Sequence, residues 1–178
     1  MTEAFALETE RLSLRRITLD DAELMLAIWN DPAFIRHVGD RGIRNVDAAQ
    51  EAMQKGAFQL YEKYGYGPYR VALKDSDQAI GLCGLFRRDS LDEPDIGYAV
   101  LPDFCGKGYA YEASCAVIDH ARDDLKLARL IAIISPNNNA SIGLIRKLGL
   151  GFERMHNMPD DDHAVCIYGV ALTDQSEI

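Results

Sequence analysis

Residues 95–125 read DIGYAVLPDFCGKGYAYEASCAVIDHARDDL, and this stretch decides how the rest of the chain is interpreted. At its start apolar residues alternate with small ones, which is typical of a strand, and later they recur at every third or fourth position, which is typical of a helix. The period changes between Pro102 and Gly108. The stretch therefore predicts a strand joined to a long helix by a glycine-rich turn.

The turn has the features of a site for an anionic oxygen. The first amides of a helix have no intrahelical acceptor, and the helix dipole favours negative charge near them. Gly106 and Gly108 let the backbone approach a ligand without a Cβ in the way. A dinucleotide-binding turn would have glycine at Tyr111, and a nucleotide P-loop would have Ser or Thr in place of Gly108 after Lys107. The sequence therefore predicts a phosphate ligand held by neither of these two motifs.

The segment CGKGYAYEA at residues 105–113 closely resembles the pyrophosphate-binding turn of the GNAT superfamily of N-acetyltransferases. The likeness is greatest to the RimJ/RimL-like branch, which acetylates ribosomal-protein N-termini. It implies that acetyl-CoA is the cosubstrate and that backbone amides of the turn bind its pyrophosphate. These amides belong to Gly106, Lys107, Gly108, Tyr109 and Ala110.

Cys105 departs from the superfamily pattern, which usually has Gln, Arg or Trp at this position. A thiol near a helix N-terminus can have a lowered pKa and become reactive. The alternative is that a small residue fills the space of a bulkier one. Cys105 and the other cysteines are widely spaced, so the sequence predicts reduced thiols and no metal site.

A second segment also resembles the superfamily. Residues 136–141 read PNNNAS and are followed by RKLG at residues 146–149, as in the superfamily's second cofactor-contacting segment. The resemblance implies that Asn138 and Ser141 contact acetyl-CoA. Helix capping is the alternative, because Asn and Ser are common at helix N-termini.

The strand that precedes the turn is expected to hold the pantetheine arm of acetyl-CoA. The resemblance assigns this contact to the backbone of Tyr98, Ala99 and Val100. Gly97 predicts a β-bulge that splays the sheet, since a glycine inside a strand often marks a bulge. Backbone amides left free by the splay would stabilise the oxyanion that forms when an amine attacks the thioester.

This reaction needs a base for the amine and an acid for the departing thiolate. Asp95 opens the strand and matches an acidic position of the superfamily, so it is the predicted base, with Glu93 as the alternative. Both carboxylates are also compatible with an ordinary turn. Ser141 is the predicted acid, because Ile145 stands where many superfamily members have a tyrosine.

Tyr109 and Tyr111 are less favoured candidates for the acid. The presence of Asp95 and Ser141 favours an enzyme, and the resembling branch implies that its acceptor is a protein or peptide N-terminus. One alternative acceptor is a small amine such as an amino sugar, polyamine or antibiotic. A non-catalytic acyl-CoA sensor is the second alternative, since fold does not settle function.

Composition limits the other classes of function. The 178 residues predict one domain spanning residues 1–178, and the net charge of −9 disfavours binding to nucleic acid and weakly favours cationic partners. No stretch has the length and apolarity of a membrane span, and the N-terminal stretch lacks the pattern of a signal peptide. The protein is therefore expected in the cytoplasm, as a monomer or a homodimer.

The remaining patterns predict an α/β fold of the GNAT type. We expect a mixed, mostly antiparallel and splayed sheet of about seven strands, flanked by about four helices. One strand is expected from Leu7 to Ile17 and one helix from Val46 to Tyr64. Further strands are predicted at residues 69–74, 79–87, 95–101, 129–135, 152–157 and 164–172. A further helix is predicted at residues 138–148.

Overall fold

The computed structural model describes residues 5–173, in which all the strands join one mixed sheet. The strands are β1 Ala6–Glu8, β2 Leu12–Arg16, β3 Pro68–Leu73, β4 Ala79–Phe86, β5 Asp95–Val100, β6 Arg129–Ile134, β7 Gly151–Asn157 and β8 Ala164–Ala171. The helices are α1 Ala22–Trp29, α2 Pro32–His37, α3 Val46–Lys55, α4 Ala57–Tyr64, α5 Tyr109–Asp123 and α6 Asn139–Lys147. Short 3₁₀ turns occupy Leu19–Asp21 and Pro102–Phe104.

The strand order is β1-β2-β3-β4-β5-β6-β8-β7. Strands β5 and β6 are parallel, because α5 crosses over between them, and the other described neighbours are antiparallel. This architecture confirms the predicted mixed α/β fold.

The sheet is splayed between β5 and β6. These strands are in register at the single position Asp95↔Ile131, whereas β5 pairs with β4 from Phe86↔Asp95 to Gly81↔Val100. Beyond Asp95 the β6 side of β5 therefore has no strand partner. The opening exposes backbone groups of β5, as the predicted binding of a pantetheine arm requires.

Gly97 does not form the predicted β-bulge. Its pairing with Gly84 of β4 continues the register of the neighbouring residues without a shift. The bulge prediction was wrong because the divergence of β6 from β5, rather than an extra residue in β5, produces the splay.

Two predicted boundaries are also wrong. The segment from Leu7 to Ile17 forms the two strands β1 and β2, because Thr9 N donates to Leu12 O at 2.9 Å and closes a turn between them. The segment from Val46 to Tyr64 forms α3 and α4, because Gly56 adopts non-helical dihedrals of φ −109° and ψ −88°. The additional strand brings the sheet to eight strands where about seven were expected. The described residues contain six α-helices where about four were expected, and the division into α3 and α4 contributes one of the extra helices.

Two apolar clusters cover opposite faces of the sheet. On one face α5 and α6 pack against the central strands, with Val117 and Ile145 almost fully buried. On the other face α1, α3 and α4 pack against Leu82, and Met25 and Trp29 are buried there. The splay between β5 and β6 lies between these helical layers.

Candidate active site

The predicted anion-binding turn adopts a conformation that suits its glycines. Gly106 and Gly108 have φ of +75° and +82°, in the left-handed region. Within residues 5–173, no protein acceptor receives a hydrogen bond from the amides of residues 106–110. Glu112 N is the first amide of α5 to donate within the helix, to Gly108 O at 3.0 Å. The free amides at the start of a 15-residue helix fit the pyrophosphate of acetyl-CoA.

The turn is fixed from outside by residues of the β1–β2 hairpin. Arg11 Nη1 donates to Lys107 O at 3.0 Å, and Arg11 Nε donates to Glu112 Oε2 at 2.7 Å. Thr9 Oγ1 and Arg11 N donate to Glu112 Oε1 at 2.6 and 2.8 Å. The Arg11 guanidinium also lies 4.5 Å from the centre of the Tyr109 ring. Sequence reasoning missed this network, because about a hundred residues of chain separate its partners and neither local motif indicates a contact.

The two faces of β5 point to different helical layers. Tyr98 packs with the α5 and α6 layer, whereas Ala99 packs with the α1 and α3 layer. Asp95 and Gly97 share the face of Ala99, because side chains alternate along a strand. The Phe86 ring lies beside Gly97, where a Cβ would be 2.9 Å from its Cε2 atom. We call Asp95, Gly97 and Ala99 the α1 face of β5.

Asp95 lies at the apex of the splay and is only 3% exposed. Burial raises the pKa of Asp95, and the attraction of Arg88, whose Nε lies 3.3 Å from Asp95 Oδ1, partly opposes this increase. A carboxylate with a raised pKa is a stronger base and accepts a proton more readily near neutral pH. The position and environment of Asp95 therefore suit the predicted role better than those of an ordinary turn carboxylate.

Glu93 is placed differently from Asp95. Its carboxylate accepts a hydrogen bond of 3.3 Å from Arg129 Nε at the start of β6, and Arg129 also pairs with Glu153. These contacts hold Glu93 in an ion-pair cluster with Arg129 and Glu153. Glu93 is therefore paired with Arg129, whereas Asp95 is buried at the splay beside Arg88.

Asn138 and Ser141 lie at the start of α6, where Asn138 Oδ1 accepts a hydrogen bond of 3.2 Å from Ser141 N. This bond is the capping interaction that the sequence offered as the alternative reading. Tyr98 of β5 reaches the same helix, and its hydroxyl donates to Ser141 O at 3.5 Å. Burial raises the pKa of Tyr98, so its phenol stays protonated at neutral pH. Ser141 therefore lies beside the strand expected to hold the pantetheine arm.

Ile145, Tyr109, Tyr111 and Cys105 have different surroundings. Ile145 is 1% exposed and belongs to the apolar cluster under α6, so this position contributes no polar group. Tyr109 lies against Arg11, and the Tyr111 ring lies 4.1 Å from Lys147 Nζ. The exposed Cys105 thiol contacts the carbonyls of Val100 and Leu101.

No metal-binding cluster of three or more His, Cys, Asp or Glu residues is found among residues 5–173. In the same residues, no helix combines the length and apolarity needed to span a membrane.

The fold and the turn are those of an acetyl-CoA-dependent acyltransferase. Residues 11–151 match the family model described as "Acetyltransferase (GNAT) domain". The chain therefore belongs to the GNAT family of acetyltransferases. It is an N-acetyltransferase that uses acetyl-CoA, as the resemblance of its two motifs implied.

Individual relatives agree with this assignment. The uncharacterized N-acetyltransferase p20 of Bacillus licheniformis is 32% identical over 143 residues, which cover 80% of each chain. The crystal structure of an acetyltransferase from Agrobacterium tumefaciens has a TM-score of 0.79 at 22% identity and covers 96% of both chains. RimL, a ribosomal L7/L12 α-N-protein acetyltransferase solved with coenzyme A, has a TM-score of 0.79 at 16% identity, with 94% of this chain and 98% of RimL covered. At these identities the two solved structures establish the common fold.

Proposed function

We propose that this protein transfers the acetyl group of acetyl-CoA to the primary amine of a protein or peptide N-terminus, by direct attack of the amine on the thioester. The observation that carries the proposal is the buried Asp95 carboxylate at the apex of the splay. The fold shared with RimL, whose substrate is a ribosomal protein, supports an N-terminal acceptor. We further propose that the whole chain forms one catalytic domain located in the cytoplasm.

Acetyl-CoA supplies the activated acetyl group, and the chain supplies its orientation. The amides of residues 106–110 bind the pyrophosphate, and the unpaired side of β5 binds the pantetheine arm as an added strand would. The acceptor approaches the splay along the α1 face of β5, on which the proposed base Asp95 lies. The attacking amine and the thioester then meet at the splay.

Asp95 removes the proton of the attacking amine, directly or through a water molecule. The raised pKa of Asp95 strengthens it as a base, and Arg88 holds the carboxylate in place. Ser141, at the start of α6, donates a proton to the departing thiolate. Proton transfer by such groups typically accelerates a reaction by about a hundredfold or more.

The test is the release of CoA thiol from acetyl-CoA with a panel of amines and mass spectrometry of the products. The panel contains peptides that begin with Ala, Ser or Thr, together with polyamines, amino sugars and free amino acids. We expect peptides to be acetylated and Asp95→Asn to lower kcat at least tenfold. Glu93→Gln is the matched control, because Glu93 is a nearby carboxylate paired with Arg129.

Three outcomes would change the proposal. Acetylation of small amines alone would exclude a peptide acceptor. Equal kcat for wild type and Asp95→Asn would remove Asp95 from the mechanism. Binding of acetyl-CoA without any turnover would favour the acyl-CoA sensor.

A further inference from the structure

Strand β7 forms one edge of the sheet and is both long and accessible. It contains seven residues, Gly151–Asn157, whereas β1 at the other edge contains three. Six of the seven residues are exposed, and among residues 5–173 no strand pairs with the outer side of β7. The strand also lacks proline and lysine, which commonly protect an edge from pairing with another chain. The edge is therefore open to a second polypeptide.

Two large apolar side chains of β7 remain exposed. Phe152 is 53% exposed and Met155 is 48% exposed. The Phe152 ring packs edge-on against the Tyr168 ring of β8, with 5.7 Å between the ring centres. Met155 Sδ lies 3.7 Å from Cys166 Sγ on the same strand. Both of these partners belong to the apolar cluster beneath α5 and α6, so the two exposed side chains extend this cluster to the edge of the sheet.

A β-bulge places Phe152 and Met155 on the same face, although residues three positions apart in a regular strand point to opposite faces. The register with β8 shifts between Phe152 and Arg154, so Glu153 is the extra residue. Arg154 lies on the opposite face from Met155, and the Glu153 carboxylate is beside it, with Oε2 3.8 Å from Arg154 Nη1. The centre of β7 thus has an apolar face and a charged face. Because the bulge interrupts the backbone ladder, side chains would supply most of any contact.

The order of these four residues, Phe-Glu-Arg-Met at 152–155, is complementary to itself in an antiparallel pairing. A two-fold axis between Glu153 and Arg154 places Phe152 opposite Met155 of a second copy. The same axis places Glu153 opposite Arg154 of the second copy, and each contact occurs twice. An axis through either charged residue would instead place like charges opposite each other, which destabilises a strand pair. Charge and apolar contact therefore select the same register.

We propose that a second copy of this chain binds to residues 152–155 of β7 and forms a two-fold symmetric homodimer. The sequence left monomer and homodimer open, and this surface selects the homodimer. An isologous contact of this kind closes after two copies, so it does not lead to longer assemblies. Strands β6 and β8 separate β7 from β5, so the dimer and the proposed acetyl transfer can be tested independently.

The first test is sedimentation equilibrium of the whole chain over a range of concentrations. At about 0.15 M salt, charges further apart than about 8 Å are largely screened, so the net charge of −9 should not prevent association. We expect a monomer–dimer equilibrium with a Kd of about 10 µM, because the contact is centred on one strand. A wild-type chain that is still monomeric at about 1 mM would overturn the inference and leave the edge to an extended peptide.

A single replacement tests the apolar contact. Met155→Ser should raise the Kd of the dimer at least about tenfold, because it removes an apolar contact on both sides of the two-fold axis. Val38→Ser is the matched control, since Val38 is a similarly exposed apolar residue at the end of α2. Equal Kd values for Met155→Ser and wild type would overturn the inference.

A mixing experiment tests the charged contact and its register. In homodimers, Glu153→Lys places two cations opposite each other and Arg154→Glu places two carboxylates opposite each other, each twice. Each variant alone should therefore be monomeric at concentrations at which the wild type is dimeric. In a mixture the new lysine faces the new glutamate, and the native Arg154 of one copy faces the native Glu153 of the other.

Native mass spectrometry identifies the heterodimer, because the two variants differ in mass. We expect the mixture to recover the dimer that both separate variants have lost. Recovery also excludes misfolding of Glu153→Lys, which loses its ion pair with Arg129. A mixture no more dimeric than its separate components would refute the proposed pairing.

Discussion

Replacing Arg11 by alanine should weaken the binding of acetyl-CoA without preventing folding. Arg11 makes two side-chain hydrogen bonds, at 3.0 Å to Lys107 O and at 2.7 Å to Glu112 Oε2. The first orients a peptide group within the turn that we propose binds the pyrophosphate, and the second fixes the first turn of α5. Without Arg11 the amides of the turn would be less well ordered before acetyl-CoA binds.

The size of the effect follows from these contacts. A hydrogen bond from a charged donor can change an equilibrium by about tenfold or more. Because the Arg11 side chain is 43% exposed, water screens part of the interaction, and the lower end of that range applies. We therefore expect the Kd for acetyl-CoA to rise about tenfold in Arg11→Ala. Arg11→Lys should recover little, because one ammonium group cannot reach both Lys107 O and Glu112 in the geometry of a guanidinium.

The assay compares two acetyl donors. Acetyl-CoA contains the pyrophosphate, whereas S-acetyl-pantetheine lacks it and should be insensitive to the turn. Arg11→Ala should raise KM for acetyl-CoA, leave KM for S-acetyl-pantetheine unchanged and leave kcat nearly unchanged with both. Arg154→Ala is the control, because Arg154 has a similarly exposed side chain on β7. An equal rise of both KM values, or no rise for acetyl-CoA, would refute this account of Arg11.

Three further predictions concern the same elements. The rate of acetyl transfer should fall as the pH drops through the raised pKa of Asp95, and the pH profile of Asp95→Asn should lack this limb. Burial by itself would raise the pKa of Glu112, but hydrogen bonds from Thr9 and Arg11 outweigh it, so the pKa is lowered. The stabilisation by Glu112 should then be complete at a pH above its unfolded-state pKa, and it should disappear as the pH falls through the lower folded-state pKa. In urea unfolding, the free energy of unfolding of Glu112→Gln should lack this dependence on pH. The Cβ added in Gly106→Ala would meet no neighbouring atom, but the alanine must adopt φ of +75°. Urea unfolding should therefore show a free energy of unfolding that is lower by about 1 kcal/mol or slightly more. An unchanged unfolding midpoint would contradict this backbone strain.

The conformation of the proposed cofactor-binding turn could be predicted from the sequence because it depends on the backbone. Gly106 and Gly108 are needed at left-handed dihedrals, and the change of period between β5 and α5 locates the free amides. Such features leave a local pattern that can be read without the fold. The resemblance also predicted the splay of the sheet, but the β-bulge expected at Gly97 does not produce it.

Two element boundaries of the structure have no recognisable pattern in the local sequence. The hairpin that separates β1 from β2 depends on a turn at Thr9, whose side chain also bonds to Glu112 more than a hundred residues away. The break between α3 and α4 occurs at Gly56, and a single glycine is compatible with a continuous helix in sequence. Neither break alters the spacing of the apolar residues enough to show it, so periodicity alone could not locate these boundaries.

The acceptor side illustrates the same limit most clearly. Arg88 belongs to a segment without regular structure, and the fold brings its Nε within 3.3 Å of Asp95 Oδ1. The meaning of this contact depends on the burial of Asp95 at the splay, which no local pattern of the sequence shows. In the proposed mechanism peptide groups bind the cofactor, whereas a side chain takes the proton of the acceptor amine. Replacing Arg88 should therefore change kcat and its pH dependence while the affinity for acetyl-CoA is retained.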